Sequence, residues 1–85
     1  MATNHVKVYL KHFGYGEQSY IPCEACTSRC VDVHHLIFRS HGGGDSIDNL
    51  MGLCRDCHEK AHNDRSFNEY LKVIHAKKLR TYENN

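Results

Sequence analysis

Cys54-Arg55-Asp56-Cys57-His58-Glu59-Lys60-Ala61-His62 is the stretch whose reading decides how this chain folds. A Cys-x-x-Cys turn places two sulfurs on one ion, and zinc takes four such thiolates tetrahedrally. The turn runs into a helical stretch, from Asp56 to about His62, in which His58 and His62 stand four apart and so share a face. A second turn of the same kind, Cys23-Glu24-Ala25-Cys26, supplies the other two sulfurs. The 27 residues between the two turns exceed what a compact zinc ribbon needs, so something folded has to lie between them. Four thiolates leave no open position, which makes Cys23, Cys26, Cys54 and Cys57 a structural Zn²⁺ site. The competing readings are two redox Cys-x-x-Cys pairs or buried free thiols. Cys30 is left over, either as a small buried apolar side chain or as a replacement for Cys26.

The bulk composition agrees with a metal-held fold. A chain of 85 residues argues for one domain, spanning 1–85. It is 40% hydrophobic with no tryptophan, so a large core is out of reach and a metal is the expected support. Five cysteines are an odd number for a complete disulfide framework, and reduced cytoplasmic thiols read as metal ligands first. No run reaches the ~18 apolar residues of a membrane span. The start, Met1-Ala2-Thr3-Asn4-His5-Val6-Lys7, lacks the apolar core of a secretory signal, so the expected location is cytoplasmic. Net charge is only +1, yet from Lys60 to Arg80 six basic residues, Lys60, Arg65, Lys72, Lys77, Lys78 and Arg80, stand against just Asp64 and Glu69. That face can meet phosphate, although a solvated helix face is the simpler reading.

Outward from the knuckles, Val6, Tyr9, Leu10 and Phe13 stand at i, i+3, i+4 and i+7 and predict a helix over residues 4–13 ended by Gly14, against a competing alternating strand. Residues 14–20 read as a turn. Val31-Asp32-Val33-His34-His35-Leu36-Ile37-Phe38 is β-branched and apolar enough for a strand. Gly42-Gly43-Gly44 makes residues 39–46 a loop, and Leu50-Met51-Gly52-Leu53 is a second short strand. Ser66-Phe67-Asn68-Glu69 reads as a capping box with Ser66 at the N-cap, opening a helix over about 67–80. Its stripe of Phe67, Tyr70, Leu71 and Ile74 predicts core packing.

The histidines carry chemistry. Side chains on a strand alternate faces, so His34 and His35 cannot both reach one ion in the same way. One can ligate while its neighbour faces a substrate, and His58 with His62 can meet that same ion. A divalent metal neutralises a scissile phosphate and stabilises its leaving oxygen. A neutral imidazole, with a pKa of ~6.5, takes a proton from water near neutral pH. An asparagine such as Asn49 can hold the base or its loop by hydrogen bonds. Taken singly, each residue has an ordinary reading as surface, turn or core; the combination is what points to a site.

Cys23-x-x-Cys26, Asp32-Val33-His34-His35-Leu36, Gly43-Gly44-Asp45, Asp48-Asn49-Leu50 and Leu53-Cys54-x-x-Cys57-His58-x-x-x-His62 together resemble the HNH, or ββα-metal (His-Me finger), nucleases, compact bacterial and phage members above all. The likeness covers about residues 20–63. It implies a small zinc-stabilised α+β fold, a ββα-metal core with flanking N- and C-terminal helices. It implies a metal-dependent endonuclease that hydrolyses DNA phosphodiesters, leaving a 5′-phosphate and a 3′-hydroxyl. It implies His35 as general base, Asn49 orienting the base-bearing loop, and His34, His58 and His62 as ligands of one catalytic divalent metal. Many members carry Asp where this chain has His34; imidazole shifts preference from Mg²⁺ towards Mn²⁺, Ni²⁺, Co²⁺ or Zn²⁺. Arg39, His41, Arg55 and Lys60 are candidate phosphate contacts. DNA is the expected partner, together with phage packaging or other DNA-processing proteins, and the chain is expected as a monomer or weak dimer with weak sequence specificity. Against this stand a non-catalytic zinc module that binds nucleic acid or protein, and a metal-buffering or redox protein.

Overall fold

The computed structural model describes residues 4–16 and 20–83. Helix α1 spans Asn4–Phe13, strand β1 Asp32–His35, strand β2 Leu50–Leu53, helix α2 Arg55–Asn63 and helix α3 Arg65–Glu83. Single 3-10 turns at Arg39–His41 and Ile47–Asn49 shape the loop between the strands. This is the small α+β arrangement with flanking helices that the sequence predicts. Within the expected turn over 14–20, residues 17–19 lie outside the described residues. No helix among the described residues is long and apolar enough to cross a membrane.

The two strands pair antiparallel with Val33 opposite Gly52, His34 opposite Met51 and His35 opposite Leu50. Alternation then sorts the side chains. Met51 and Leu53 pack with Cys23, Leu36, Ala61 and Leu71 on the side of α2 and α3. Leu50 packs with Tyr9, Phe13 and Leu79 on the other side, with Val33 against that cluster. All four residues of β2 are buried, so the strand reads as a continuous apolar run rather than an alternating one. Gly52 is required there, because a Cβ would stand 2.9 Å from the Tyr9 hydroxyl and 3.0 Å from Cys30 Sγ. The same rule sends His34 towards α2 and α3, and His35 towards α1.

Local chemistry sets most element ends. Gly14 adopts φ 71° and closes α1, with the Tyr15 N–H reaching back to the Leu10 carbonyl at 2.9 Å. β1 is shorter than the predicted 31–38, because the Ile37 N–H leaves the ladder for the Asn49 side-chain oxygen at 2.7 Å. Cys54 doubles as the cap of α2, its Sγ accepting from the Cys57 N–H at 3.5 Å.

Two expectations for α3 are corrected. Asp64, not Ser66, caps it: Asp64 Oδ1 accepts from the Phe67 N–H at 3.2 Å, and the Asp64 carbonyl takes the first helical bond from Asn68. The helix therefore opens at Arg65 and carries Ser66 in its first turn, while Glu69 pairs with Lys72 at 2.7 Å. The buried face is also rotated from the predicted stripe. Asn68, Leu71, His75 and Leu79 are buried, whereas Tyr70 is 59% exposed. Two polar side chains occupy core positions, which an apolar pattern cannot reveal.

Candidate active site

The sulfur atoms of Cys23, Cys26, Cys54 and Cys57 lie within 4.8 Å of one another. Tetrahedral zinc with bonds of ~2.3 Å sets its sulfurs about 3.8 Å apart, so the donor set fits; the Cys26 to Cys54 separation is 3.5 Å. Burial and neighbouring sulfurs push the Cys57 thiol up, the strain that a dication between the sulfurs relieves. Cys30 stands outside this group. Its half-buried Sγ lies 3.4 Å from the Asp32 carbonyl, and burial raises its pKa to about 11.

A second group gathers ring nitrogens of His34, His58 and His62 within 4.8 Å of one another. His34 comes from β1, and His58 and His62 from successive turns of α2. Two of the three orientations follow from a partner that can only accept. Asp32 Oδ2 lies 3.0 Å from His58 Nδ1, so that nitrogen carries the proton and Nε2 keeps its lone pair. His58 Nε2 stands 3.2 Å from His62 Nε2. With metal–nitrogen bonds of ~2.0–2.1 Å, a tetrahedral edge is about 3.4 Å, so three imidazoles of this spacing fit one ion and leave a position open. Burial, then the neighbouring histidines, lower His34 to about 4 despite the hydrogen bond with Asn68, which keeps it neutral, the form that a metal ion requires. Phe38 stacks on His62 with centroids 4.8 Å apart.

His35 faces the opposite way. Its Nε2 lies 2.8 Å from Asp45 Oδ1. Arg39 Nε approaches the same nitrogen at 3.3 Å, but a carboxylate accepts only, so the shorter contact fixes the proton on Nε2 and Nδ1 is left basic. Hydrogen bonds from His35 and then Asn4, with the Arg39 charge, hold the Asp45 carboxyl at about 2. Asn49 does not touch His35 through its amide. The amide clasps the loop, accepting from the Ile37 N–H at 2.7 Å and donating to the Ile37 and Gly44 carbonyls at 3.1 and 2.9 Å.

One open cavity of about 660 Å³ is lined by His34, His35, His58, His62 and Arg39, with α1 closing it through His5 and Tyr9. The His5 ring centroid stands 4.7 Å from that of His35. The other candidate contacts separate. His41 lines an adjoining cleft with Arg65 and Lys72. Arg55 pairs with Asp32 at 3.3 Å, bracing the partner of His58. Lys60 sits over the Phe67 ring, away from the histidines. Sequence reasoning did not assign site roles to His5, Asp32, Asp45 or Asn68. Asp32 and Asp45 lie inside recognisable motifs and were findable; His5 and Asn68 carried no local signal.

The pattern of two cysteine turns bracketing β1 and β2, the second running into α2, with histidines on both strand faces, has a counterpart among known families. Residues 23–64 match the family model described as HNH endonuclease. This segment of the chain is an HNH endonuclease domain. The chain is 36% identical over 46 residues to the type IV methyl-directed restriction enzyme EcoKMcrA of Escherichia coli strain K12, an overlap of 54% of this chain and 17% of that enzyme. It is 55% identical over 29 residues to Anaredoxin of a Nostoc species, covering 34% of this chain and 38% of that protein. The chain thus spans well under half the length of these relatives. No solved structure matches.

Proposed function

We propose that this HNH domain is a metal-dependent endonuclease that hydrolyses DNA phosphodiester bonds with His35 as its general base. The observation that carries the reading is the division of labour across β1. Three imidazoles converge on one face, while an Asp45-oriented imidazole stands on the other, and both border one cavity. A bound divalent ion supplies charge neutralisation at the scissile phosphate and at the leaving oxygen. His34, His58 and His62 would hold that ion, and an all-imidazole set favours later divalent metals over Mg²⁺. His35 Nδ1 takes the proton from the attacking water, and Asp45 steadies the imidazolium that forms. Arg39 lies on the cavity wall and offers the phosphate a guanidinium. Asn49 acts as a positioning residue for the 37–44 loop. Cys23, Cys26, Cys54 and Cys57 hold a structural zinc that fixes α2 against the strands, in a reducing cytoplasmic setting. The chain as a whole forms one domain. Arg39 and the bound ion would meet the phosphate backbone rather than base edges, so binding carries little sequence choice.

A plasmid-nicking assay combined with metal counting tests this. Wild type is expected to hold one tight zinc and to nick when Mn²⁺, Ni²⁺, Co²⁺, Zn²⁺ or Mg²⁺ is added. His35→Ala is expected to keep the zinc and lose roughly 10²–10⁴-fold in rate, the usual worth of general-base catalysis. Equal nicking by His35→Ala removes His35 as the base. No nicking by wild type with any of these ions leaves the non-catalytic zinc module as the better reading.

A further inference from the structure

Helix α3 begins one residue beyond the segment that matches the HNH family, yet it reaches the histidine site through one buried side chain, Asn68. Asn68 Oδ1 lies 2.8 Å from His34 Nε2. Asn68 Nδ2 donates to the Leu36 carbonyl at 3.0 Å.

These two contacts settle each other. A carbonyl oxygen only accepts, so the end of the amide facing Leu36 has to be the NH₂ group. The end facing His34 is then the amide oxygen, which also only accepts. His34 Nε2 therefore carries the proton. A neutral imidazole has one proton to place, so Nδ1 is left with the lone pair that can meet an ion shared with His58 and His62. The His34 ring is 1% exposed, so water does not replace Asn68 as the acceptor. The Leu36 bond also ties α3 to the chain just past His34-His35, and Asn49 grips its other side: the Leu36 N–H reaches the Asn49 carbonyl at 2.9 Å. The two asparagines hold the strand exit from both sides.

We infer that Asn68 is a positioning residue of the metal site, which fixes the tautomer and the ring direction of His34 from outside the segment that matches the family. The inference rests on the reading of His34 as a ligand given above. Asp32 does the same for His58 from within that segment, so two of the three imidazoles are aimed by a partner that can only accept.

Calorimetric titration of Ni²⁺ into zinc-loaded protein tests it, with the zinc content of the cysteine site checked by mass spectrometry and the melting temperature recorded for each variant. Asn68→Leu removes the acceptor and is expected to weaken Ni²⁺ binding by roughly 10–100-fold, the usual cost of losing an outer partner. Asn68→Asp keeps an acceptor towards His34 and loses the donor towards Leu36. It is expected to melt lower but to bind Ni²⁺ within about threefold of wild type, since the bond to the ligand survives. Leu71→Ala, a core change on the same helix, is expected to melt lower with unchanged Ni²⁺ affinity. Ni²⁺ binding by Asn68→Leu equal to wild type overturns the inference, and so does affinity that simply follows melting temperature across the three variants. If Asn68→Leu does not fold, a tenfold or greater loss in Asn68→Asp overturns it. Wild type that binds Ni²⁺ while Asn68→Leu does so equally well refutes only the role of Asn68. Wild type that binds no Ni²⁺ refutes the histidine metal site itself, and with it both readings.

Discussion

At the scale of single residues, the loop between the strands shows how one sequence signal hides several physical reasons. Gly42-Gly43-Gly44 predicts a loop and nothing finer. Gly42 adopts φ 86° and ends the 3-10 turn that carries Arg39, a backbone state that disfavours any side chain. Gly43 is needed for a different reason, since a Cβ there would overlap the Ile37 carbonyl and crowd the Asn49 amide. Gly44 has open space around its Cα, and its carbonyl accepts from Asn49. Gly43→Ala is therefore expected to destabilise by about 1–3 kcal/mol through overpacking, and to loosen the loop that carries Arg39. Gly44→Ala is expected to change stability by less than ~0.5 kcal/mol, as for open surface positions. Urea denaturation of the two variants side by side checks this; equal losses would show that the Asn49 clasp does not depend on close approach at Gly43.

At the scale of elements, Asp64 is the joint between the two helices that aim side chains at the site. Its N–H closes α2 on the Lys60 carbonyl at 2.8 Å, its carbonyl opens α3, and its carboxylate caps the Phe67 N–H. Asn68 lies one turn further on, so the register of α3 under His34 is set here. Ser66 matched a capping box in sequence, but the competing cap two residues earlier prevails because Asp64 already has extended backbone, φ −134° and ψ 103°, as an N-cap requires. Asp64→Ala is expected to cost roughly 0.5–2 kcal/mol, while Ser66→Ala costs far less. Thermal melts that rank the two the other way would return the cap to Ser66.

At the scale of the whole molecule, a buried polar network joins parts that the sequence lists far apart. His75 of α3 meets Glu24 of the first cysteine turn at 2.8 Å through Nδ1, and the Ile47 carbonyl at 2.7 Å through Nε2. Glu24 in turn accepts from the Tyr9 hydroxyl and from the Gly52 N–H. Both nitrogens of His75 face acceptors, so the ring is held as an imidazolium against a carboxylate. Burial by itself lowers its pKa, but the Glu24 hydrogen bond and charge, with the Ile47 carbonyl, outweigh that and raise it. A group whose folded pKa is raised gives stability that is complete below its unfolded value of 6.5 and is lost as pH rises through the folded value. The stability difference between wild type and His75→Gln is therefore expected to be largest below pH ~6.5 and to shrink as pH rises. Taking the difference removes the pH dependence of zinc binding, which both proteins share. A gap that widens with rising pH would mean that His75 is buried neutral.

The sequence by itself determined the four-cysteine set, the helix over Asn4–Phe13, the strand Leu50–Leu53 and the pairing of His58 with His62 on one helix face. These are short-range matters, fixed by i to i+4 spacing and by the ligand preferences of zinc. Strand alternation also separated His34 from His35 before any partner was known, because adjacent side chains on a strand face opposite ways. Only the tertiary structure decided what each histidine meets. His5 from α1, Asp45 from the loop and Asn68 from α3 reach the site across the fold, and a histidine or an asparagine on a helix has no local mark that tells a buried partner from a solvated one. The same limit hid the core roles of Asn68 and His75, since polar side chains enter a core only when distant residues supply their hydrogen bonds, and those partners are fixed by how the helices pack on the sheet.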